Sequence, residues 1–260
     1  LVTGDTLNKD FLRRALNNFK PDVIVHMAAL PLANVAIEQT EEAFDSILSS
    51  TVNILEVVRD FDHACPVVYT SSSMVYGDFQ TSSVTEEAPK DPKDIYGSIK
   101  LAGEIISAGY RKRYGIDVRT VRPTAVYGPF DANQRVLYKF ITRALNGKSL
   151  HIDGDGSMAL DFTYVDDTAN GIYRIATIDA AAGETFNIAR GKSETLSTAV
   201  SIISETIGDV KVEYGEVPSH IPNRGTLDVT KARELLGFEP QYGLEQALPN
   251  YIEHLRQNPI

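Results

Sequence analysis

Cysteine is nearly absent: Cys65 is the single thiol of the 260-residue chain. One thiol excludes a disulfide framework and a thiolate metal centre. Its place at the entry to the apolar run PVVYTSS reads as a buried structural thiol. A basic surplus is missing too. Twenty-five Lys and Arg face 35 Asp and Glu, a formal charge of −10. That argues against a nucleic-acid polymer or an anionic membrane surface as the main partner, while a small phosphorylated ligand can still be held by helix N-termini and a few local cations. The most apolar stretch, VIVHMAALPLANVAI, is interrupted by His26, Pro31 and Asn34 and is too short for a bilayer span. No basic stretch followed by an apolar core marks a secretory signal, so a cytoplasmic location is expected. Internal repeats and low-complexity segments are also missing.

What is present is an ordinary globular composition, 43% hydrophobic and 23% charged, in a chain long enough for one large or two-lobed domain. KDFLRRALNNF (9–19) has helical spacing, and VIVHMAA after Pro21 reads as a strand buried on both faces. Residues 40–60 read as a long helix with an acidic first turn. VVYTSS (67–72) is a second buried strand, a helix runs from the mid-nineties to about Tyr114, and RTVRPTAVYG (119–128) is a third strand. Beyond Gly128 the rhythm loosens: a helix near 134–146, short strands in DFTYV, TFNIA and KVEYGE, then three helical stretches, the second stopped by Gly237. Alternating strands and helices predict a parallel sheet with helices on both faces.

In such sheets ligands bind at the carboxyl ends of the strands. MAAL, TSSSMVYG and RPTAVYGP fall at that edge, and DIYGSIKLAGE begins a helix beside it. In that helix Tyr96 and Lys100 are four apart and share a face. Alone, such a pair is an ordinary helix surface; four segments converging on one rim make it a candidate proton-transfer pair. The turn HIDGDGS has Met158 where a calcium loop needs glycine and lacks the terminal glutamate, so no metal is expected.

Taken in order, GDTLNKD, PDVIVHMAA, YTSSSMVYG, YGSIK, VRPTAVYGP, GDGSMALDFTYVDD and KARELLGFEP resemble the extended short-chain dehydrogenase/reductases of the sugar-nucleotide epimerase/dehydratase group. The resemblance implies an α/β fold: a Rossmann-type doubly wound parallel sheet with a smaller C-terminal α/β substrate lobe. It implies a dinucleotide-binding lobe from 1–128 with interleaved 161–190, and a substrate lobe from 129–160 and 191–260. It makes Tyr96 the base, Lys100 its electrostatic partner and a ribose ligand, and Ser72 a hydrogen-bonding group at the reacting hydroxyl. A free phenol titrates near 10, so an ammonium and a positive nicotinamide ring are needed to bring it into range. NAD is the implied cofactor, with NADP not excluded: Asp5 and Thr6 at the adenine end, Ala28 and Ala29 where the dinucleotide passes, Thr70 and Pro123 near the nicotinamide. Ser72, Ser73 and Arg135 are the implied sugar-nucleotide contacts. The family commonly forms homodimers through a four-helix bundle; residues 40–60 and 95–114 carry apolar positions wider than one stripe, as that packing needs.

Several positions depart from the family's pattern. Its dehydratases carry acidic residues just after the catalytic serine; Ser73 and Met74 cannot do that acid–base work, so dehydration is disfavoured. The glycine-rich turn that opens the family's fold does not occur, and a chain discontinuity within residues 1–6 is expected, with LVTG as a first strand. Ile47 and Ala125 stand where Asn is common, Leu160 where Arg is common and Pro31 where Lys is common. Arg122, Arg135 and Arg224 are spare cations, expected to serve structure more than phosphate. The reading is an NAD(P)-dependent sugar-nucleotide epimerase acting at carbon 4; the alternatives are a sugar or polyol dehydrogenase/reductase and a non-catalytic binding protein.

Overall fold

The structure is a computed structural model that describes residues 1–29, 38–61, 63, 65–219 and 221–258; Pro31 lies outside the described residues. LVTG is not a strand. Residues 1–5 have no regular structure, Leu1 and Val2 are exposed, and among the described residues no sheet neighbour pairs with them. A β backbone needs a ladder partner for its N–H and C=O groups. The chain turns directly after this stretch: Asp5 accepts from Asn8 through its carbonyl and from Leu7 through its carboxylate, and Asn53 donates to the Thr6 and Leu7 carbonyls.

The elements then follow in order. Helix α1 (Lys9–Phe19) starts at an Asn8 cap and leads to β1 (Ile24–His26). Helix α2 is Thr40–Phe44, a π turn over Asp45–Ser49, and Ser50–Arg59. Strand β2 (Val67–Thr70) is followed by a 3₁₀ turn at Ser73–Tyr76 and the short β3 (Ser83–Val84). Helix α3 (Ile95–Tyr114), capped by Asp94 and ended by Gly115 in the left-handed region, leads to β4 (Val118–Pro123) and β5 (Val126–Tyr127). Then come α4 (Val136–Leu145), β6 (Leu150–Asp153), β7 (Ala159–Leu160), β8 (Thr163–Tyr164), α5 (Val165–Thr177) and β9 (Thr185–Ile188). The last stretch holds β10 (Glu194–Thr195), α6 (Leu196–Ile207), β11 (Val212–Gly215), β12 (Thr226–Leu227), α7 (Thr230–Leu236) and α8 (Leu244–Gln257).

The central sheet has the order β1-β2-β4-β9, all parallel. Its strands are rich in apolar residues because helices cover both faces of its centre, and the polar groups they carry, such as Arg122 and Asn187, are buried with hydrogen-bond partners. On one face Val67, Tyr69 and Val118 meet Leu16 of α1 and Ile54, Leu55 and Val58 of α2. On the other, Val68, Val121, Phe186 and Ile188 meet Ile175 of α5 and Ala232 and Leu236 of α7. Register aligns His26 with Tyr69 and Thr70 with Val121, so the strand carboxyl ends share one edge.

A separate core joins α4, α6 and α8 through Phe140, Ile141, Ile203, Leu248 and Tyr251, with Leu150 and Ile152 of β6. Strands β6 and β11 form its parallel pair. Helix α7, within the segment assigned to the smaller lobe, packs on the main sheet instead, because Ala232, Leu236 and Phe238 complete the apolar cover of β9. Cys65 is buried, and burial pushes its thiol up to about 11, as befits a structural residue.

Candidate active site

Strand β2 ends at Thr70, and Ser71, Ser72 and Ser73 follow on the rim. Ser72 caps the 3₁₀ turn by accepting from the Met74 backbone N–H at 3.2 Å, which leaves its own hydroxyl proton free to donate. Helix α3 begins one residue before Tyr96, and the Asp94 cap accepts from Gly97 N–H at 2.6 Å. Gly97 permits this docking: a Cβ there would lie 2.7 Å from the Met74 carbonyl oxygen. The cap and the close approach bring Tyr96 against Ser72, whose hydroxyl hydrogen-bonds the phenol.

Lys100 lies one turn further along α3 and is 4% exposed. Its Nζ donates to the Thr70 carbonyl at 2.7 Å and sits 5.7 Å from the centre of the Tyr96 ring. Burial lowers the Lys100 ammonium to about 8. Burial also raises the Tyr96 phenol to about 12, against the pull of the Ser72 hydrogen bond and the Arg135 guanidinium. The sequence pairs Tyr96 with Lys100; the structure adds Arg135 as a cation acting on the phenol.

These residues open onto a cavity of about 1040 Å³ at the carboxyl edge of the sheet. Thr70, Ser72, Ser73, Tyr96, Lys100, Pro123, Ala29 and Arg135 all contribute to its wall, so most of the residues expected from the sequence are brought together. Ser73 is almost wholly buried and forms wall more than contact. Asp5, Thr6 and Ala28 line a neighbouring hollow of about 540 Å³, which shares Ala29 with the main cavity and includes Glu41, Glu42 and Asp45. Arg135 is held by Asp131, Nη1 to Oδ1 at 2.6 Å. Arg224 reaches the same cavity, and its Nε is buried with no hydrogen-bond partner among the described residues. Arg122 is structural: it is buried against Glu104.

The departures from the family pattern have physical outcomes here. Ile47 is buried, packing with Ala43, Leu48 and Ile99 beside Tyr96. Ala125 lines the cavity at φ 37°, a left-handed backbone that Asn tolerates better than Ala. Leu160 adds an apolar wall with Phe162 and Met74. Sequence reasoning missed Glu104, although its place four residues after Lys100 on the same helix face was a visible signal. It also missed His26 as the group buried beneath the site, hydrogen-bonded to Thr51 and Ser50.

The residues fit a dinucleotide at its nicotinamide end. Thr70 lines the cavity with Lys100, Tyr96 and Pro123, and its buried Oγ1 has no hydrogen-bond partner among the described residues. Among the described residues no group of His, Cys, Asp or Glu side chains is arranged to hold a metal ion.

Comparison with known proteins agrees with this geometry. The chain is 29% identical over 257 residues to a UDP-glucuronate 4-epimerase of Thermodesulfobacterium geofontis, covering 98% of this chain and 78% of that protein. It is 31% identical over 269 residues to a UDP-glucose 4-epimerase of Mycolicibacterium smegmatis, covering 98% and 82%. The crystal structure of UDP-glucuronic acid 4-epimerase from Bacillus cereus, in complex with UDP-glucuronic acid and NAD, superposes with a TM-score of 0.91 at 26% identity, covering 98% of this chain and 80% of that one. The profile of the NAD dependent epimerase/dehydratase family matches residues 1–189. Fold, cavity and sequence agree: the chain belongs to the NAD dependent epimerase/dehydratase family.

Proposed function

We propose that this protein is an NAD-dependent sugar-nucleotide epimerase acting at carbon 4 through a transient 4-keto sugar. The observation that carries the reading is the hydrogen-bonded Ser72–Tyr96 pair above buried Lys100, in a cavity whose adjoining residues, Ser73 and Met74, hold no acid. Tyr96 takes the proton of the reacting hydroxyl, and Ser72 relays or steadies it. Lys100, fixed on the Thr70 carbonyl, keeps the ribose side of the site cationic. Bound NAD would supply the hydride acceptor and donor. The 4-keto sugar turns over in the cavity so that the hydride would return to its other face, and Tyr96 gives its proton back to the oxygen, which leaves the opposite configuration at carbon 4. A dehydratase would also need an acid beside Ser72 to expel water, and neither Ser73 nor Met74 can supply one.

Arg135 and Arg224 are the cavity's guanidiniums and would hold the substrate diphosphate; the unpartnered Arg224 Nε favours an anionic ligand there. The 1–128 and 161–190 segments would hold the dinucleotide, while 129–160 and 191–260, apart from α7 on the main sheet, would close over the sugar nucleotide. Asp5, Thr6, Ala28 and Ala29 would take the adenosine side, where Glu41, Glu42 and Asp45 oppose an added phosphate and favour NAD over NADP. A cytoplasmic homodimer packed through α2 and α3 completes the reading. Exposed Phe44, Ile105 and Tyr114 support that face, although Ile47, Leu48 and Ile99 are already covered within one chain.

The test is incubation with UDP-glucose and with UDP-glucuronate, followed by proton NMR of the anomeric signals and absorbance at the NADH band. Interconversion of the 4-epimers without net absorbance change is expected. Stoichiometric NADH formation would replace this reading with a dehydrogenase, and a 4-keto-6-deoxy product with a dehydratase.

A further inference from the structure

We propose that the buried Glu104–Arg122 ion pair positions the reaction centre, locking the helix that carries Tyr96 and Lys100 to the strand ends that carry Ser72 and Pro123. The inference rests on the reading of Tyr96 as the base. Tyr96, Lys100 and Glu104 are spaced by four on α3 and share one face. Arg122 immediately precedes Pro123 at the end of β4, and Ser71 immediately precedes Ser72 at the end of β2.

The contacts converge on the Glu104 carboxylate. Arg122 donates in a fork, Nε to Oε1 at 2.9 Å and Nη2 to Oε2 at 2.6 Å, and Ser71 Oγ donates to Oε1 at 2.5 Å. The side chains of Arg122 and Glu104 are 4% and 11% exposed. Arg122 Nη1 also donates to Tyr76 OH at 2.8 Å and to the Glu86 carbonyl at 3.0 Å. Tyr76 OH donates onward to Asn187 Oδ1 at 2.7 Å, on β9. One guanidinium therefore links α3, the β4 end, the turn after Ser72 and the last sheet strand.

A planar fork fixes both distance and rotation, unlike an apolar contact. Docking of α3 has other supports: Tyr69 OH donates to the Lys100 carbonyl, and Gly103 lets Tyr69 lie against the helix. The fold can therefore keep the helix in place without the ion pair. A buried ion pair is often replaceable by apolar residues without loss of stability, so stability alone is a weak reason for one here. What the fork adds is the fine setting of the Tyr96 oxygen relative to Ser72 and the reacting carbon, where a displacement of about 1 Å can cost about 10²-fold in rate.

The test is the double variant Glu104→Leu with Arg122→Met, with Ser71→Ala and Arg122→Lys beside it. Activity is read with whichever of UDP-glucose or UDP-glucuronate the wild type turns over. Tyr96 is followed separately by fluorine NMR of 3-fluorotyrosine-labelled protein, its resonance assigned from Tyr96→Phe. The folded double variant should melt near the wild type, lose about 10²-fold in kcat with KM little changed, and show a displaced Tyr96 resonance. Arg122→Lys keeps the charge without the fork and should not restore kcat. Ser71→Ala should lower kcat several-fold and leave KM alone. A folded double variant with wild-type kcat and an unmoved Tyr96 resonance would overturn the proposal. Should the double variant fail to fold, Ser71→Ala decides: unchanged kcat and resonance refute it. If the wild type turns over neither sugar nucleotide, the epimerase reading fails, and the fluorine resonance still decides the positioning role.

Discussion

Acidification from pH 7 to 4.5 should weaken the fold through one imidazole. His26 ends β1 and is 5% exposed, with Nε2 3.1 Å from Thr51 Oγ1 and 3.3 Å from Ser50 Oγ. Both hydroxyls already spend their protons on α2 carbonyls, Ser50 on Ser46 and Thr51 on Ile47, each at 2.5 Å. Each has only lone pairs left for the ring, so Nε2 carries the proton and the imidazole is neutral. Burial, helped by the Lys100 ammonium, lowers the His26 pKa from 6.5 to about 4. Between those values the unfolded chain binds a proton that the folded chain refuses, so stability falls as pH falls. At about 1.4 kcal/mol per pH unit, the full loss is about 3 kcal/mol. Asp161 acts the other way: burial raises its carboxyl to about 6, so the folded state gains its proton first as pH drops. The two effects separate in His26→Gln, which keeps an N–H donor and cannot titrate. Urea unfolding at pH 7, 5.5 and 4.5 should show the wild type losing about 2–3 kcal/mol relative to the variant. Parallel curves, or a His26 ring that titrates near 6.5 by NMR, would refute the argument.

Tyr96→Phe should reduce turnover by about 10²–10⁴-fold with melting temperature nearly unchanged, since only the titrating oxygen is lost; near-normal epimerisation by NMR would remove Tyr96 as the base. Gly103→Ala would drive a Cβ into Tyr69 OH, which is anchored on the Lys100 carbonyl. Urea unfolding should report a loss of about 1–3 kcal/mol, and an unchanged midpoint would contradict the close approach. Light scattering at micromolar concentration should give the mass of two chains, falling to one in Ile105→Glu; a wild-type monomer would sink the dimer.

The main sheet was legible because strands buried on both faces must be continuous apolar runs, and VIVH, VVYT and TFNI have no other use at their lengths. The Tyr96 helix was legible from its spacing, and the structure bounds it with an Asp94 cap and a left-handed Gly115. The π turn at Asp45–Ser49 was not, since widening one turn of α2 leaves its apolar pattern looking helical. Nor was the two-residue pair β3–β12, too short to carry a period and joined across distant chain; β5 and β8 fall in segments read as strands, but the break between β4 and β5 at Thr124–Ala125 and their mutual pairing did not show. Arg122 read only as a spare cation because its partner lies 18 residues away on another element. LVTG misled for the opposite reason: its composition suits a strand, yet among the described residues no ladder partner meets it.

Strand β1 is the outermost of the four, and among the described residues it pairs on one side only, with Val25 and Met27 exposed beside it. Such an edge is a template for one further parallel strand, from elsewhere in the same polypeptide or from a second copy. Charge placed at Met27 tells the two apart: it should relieve turbidity that rises with concentration in the second case and leave light scattering unchanged in the first.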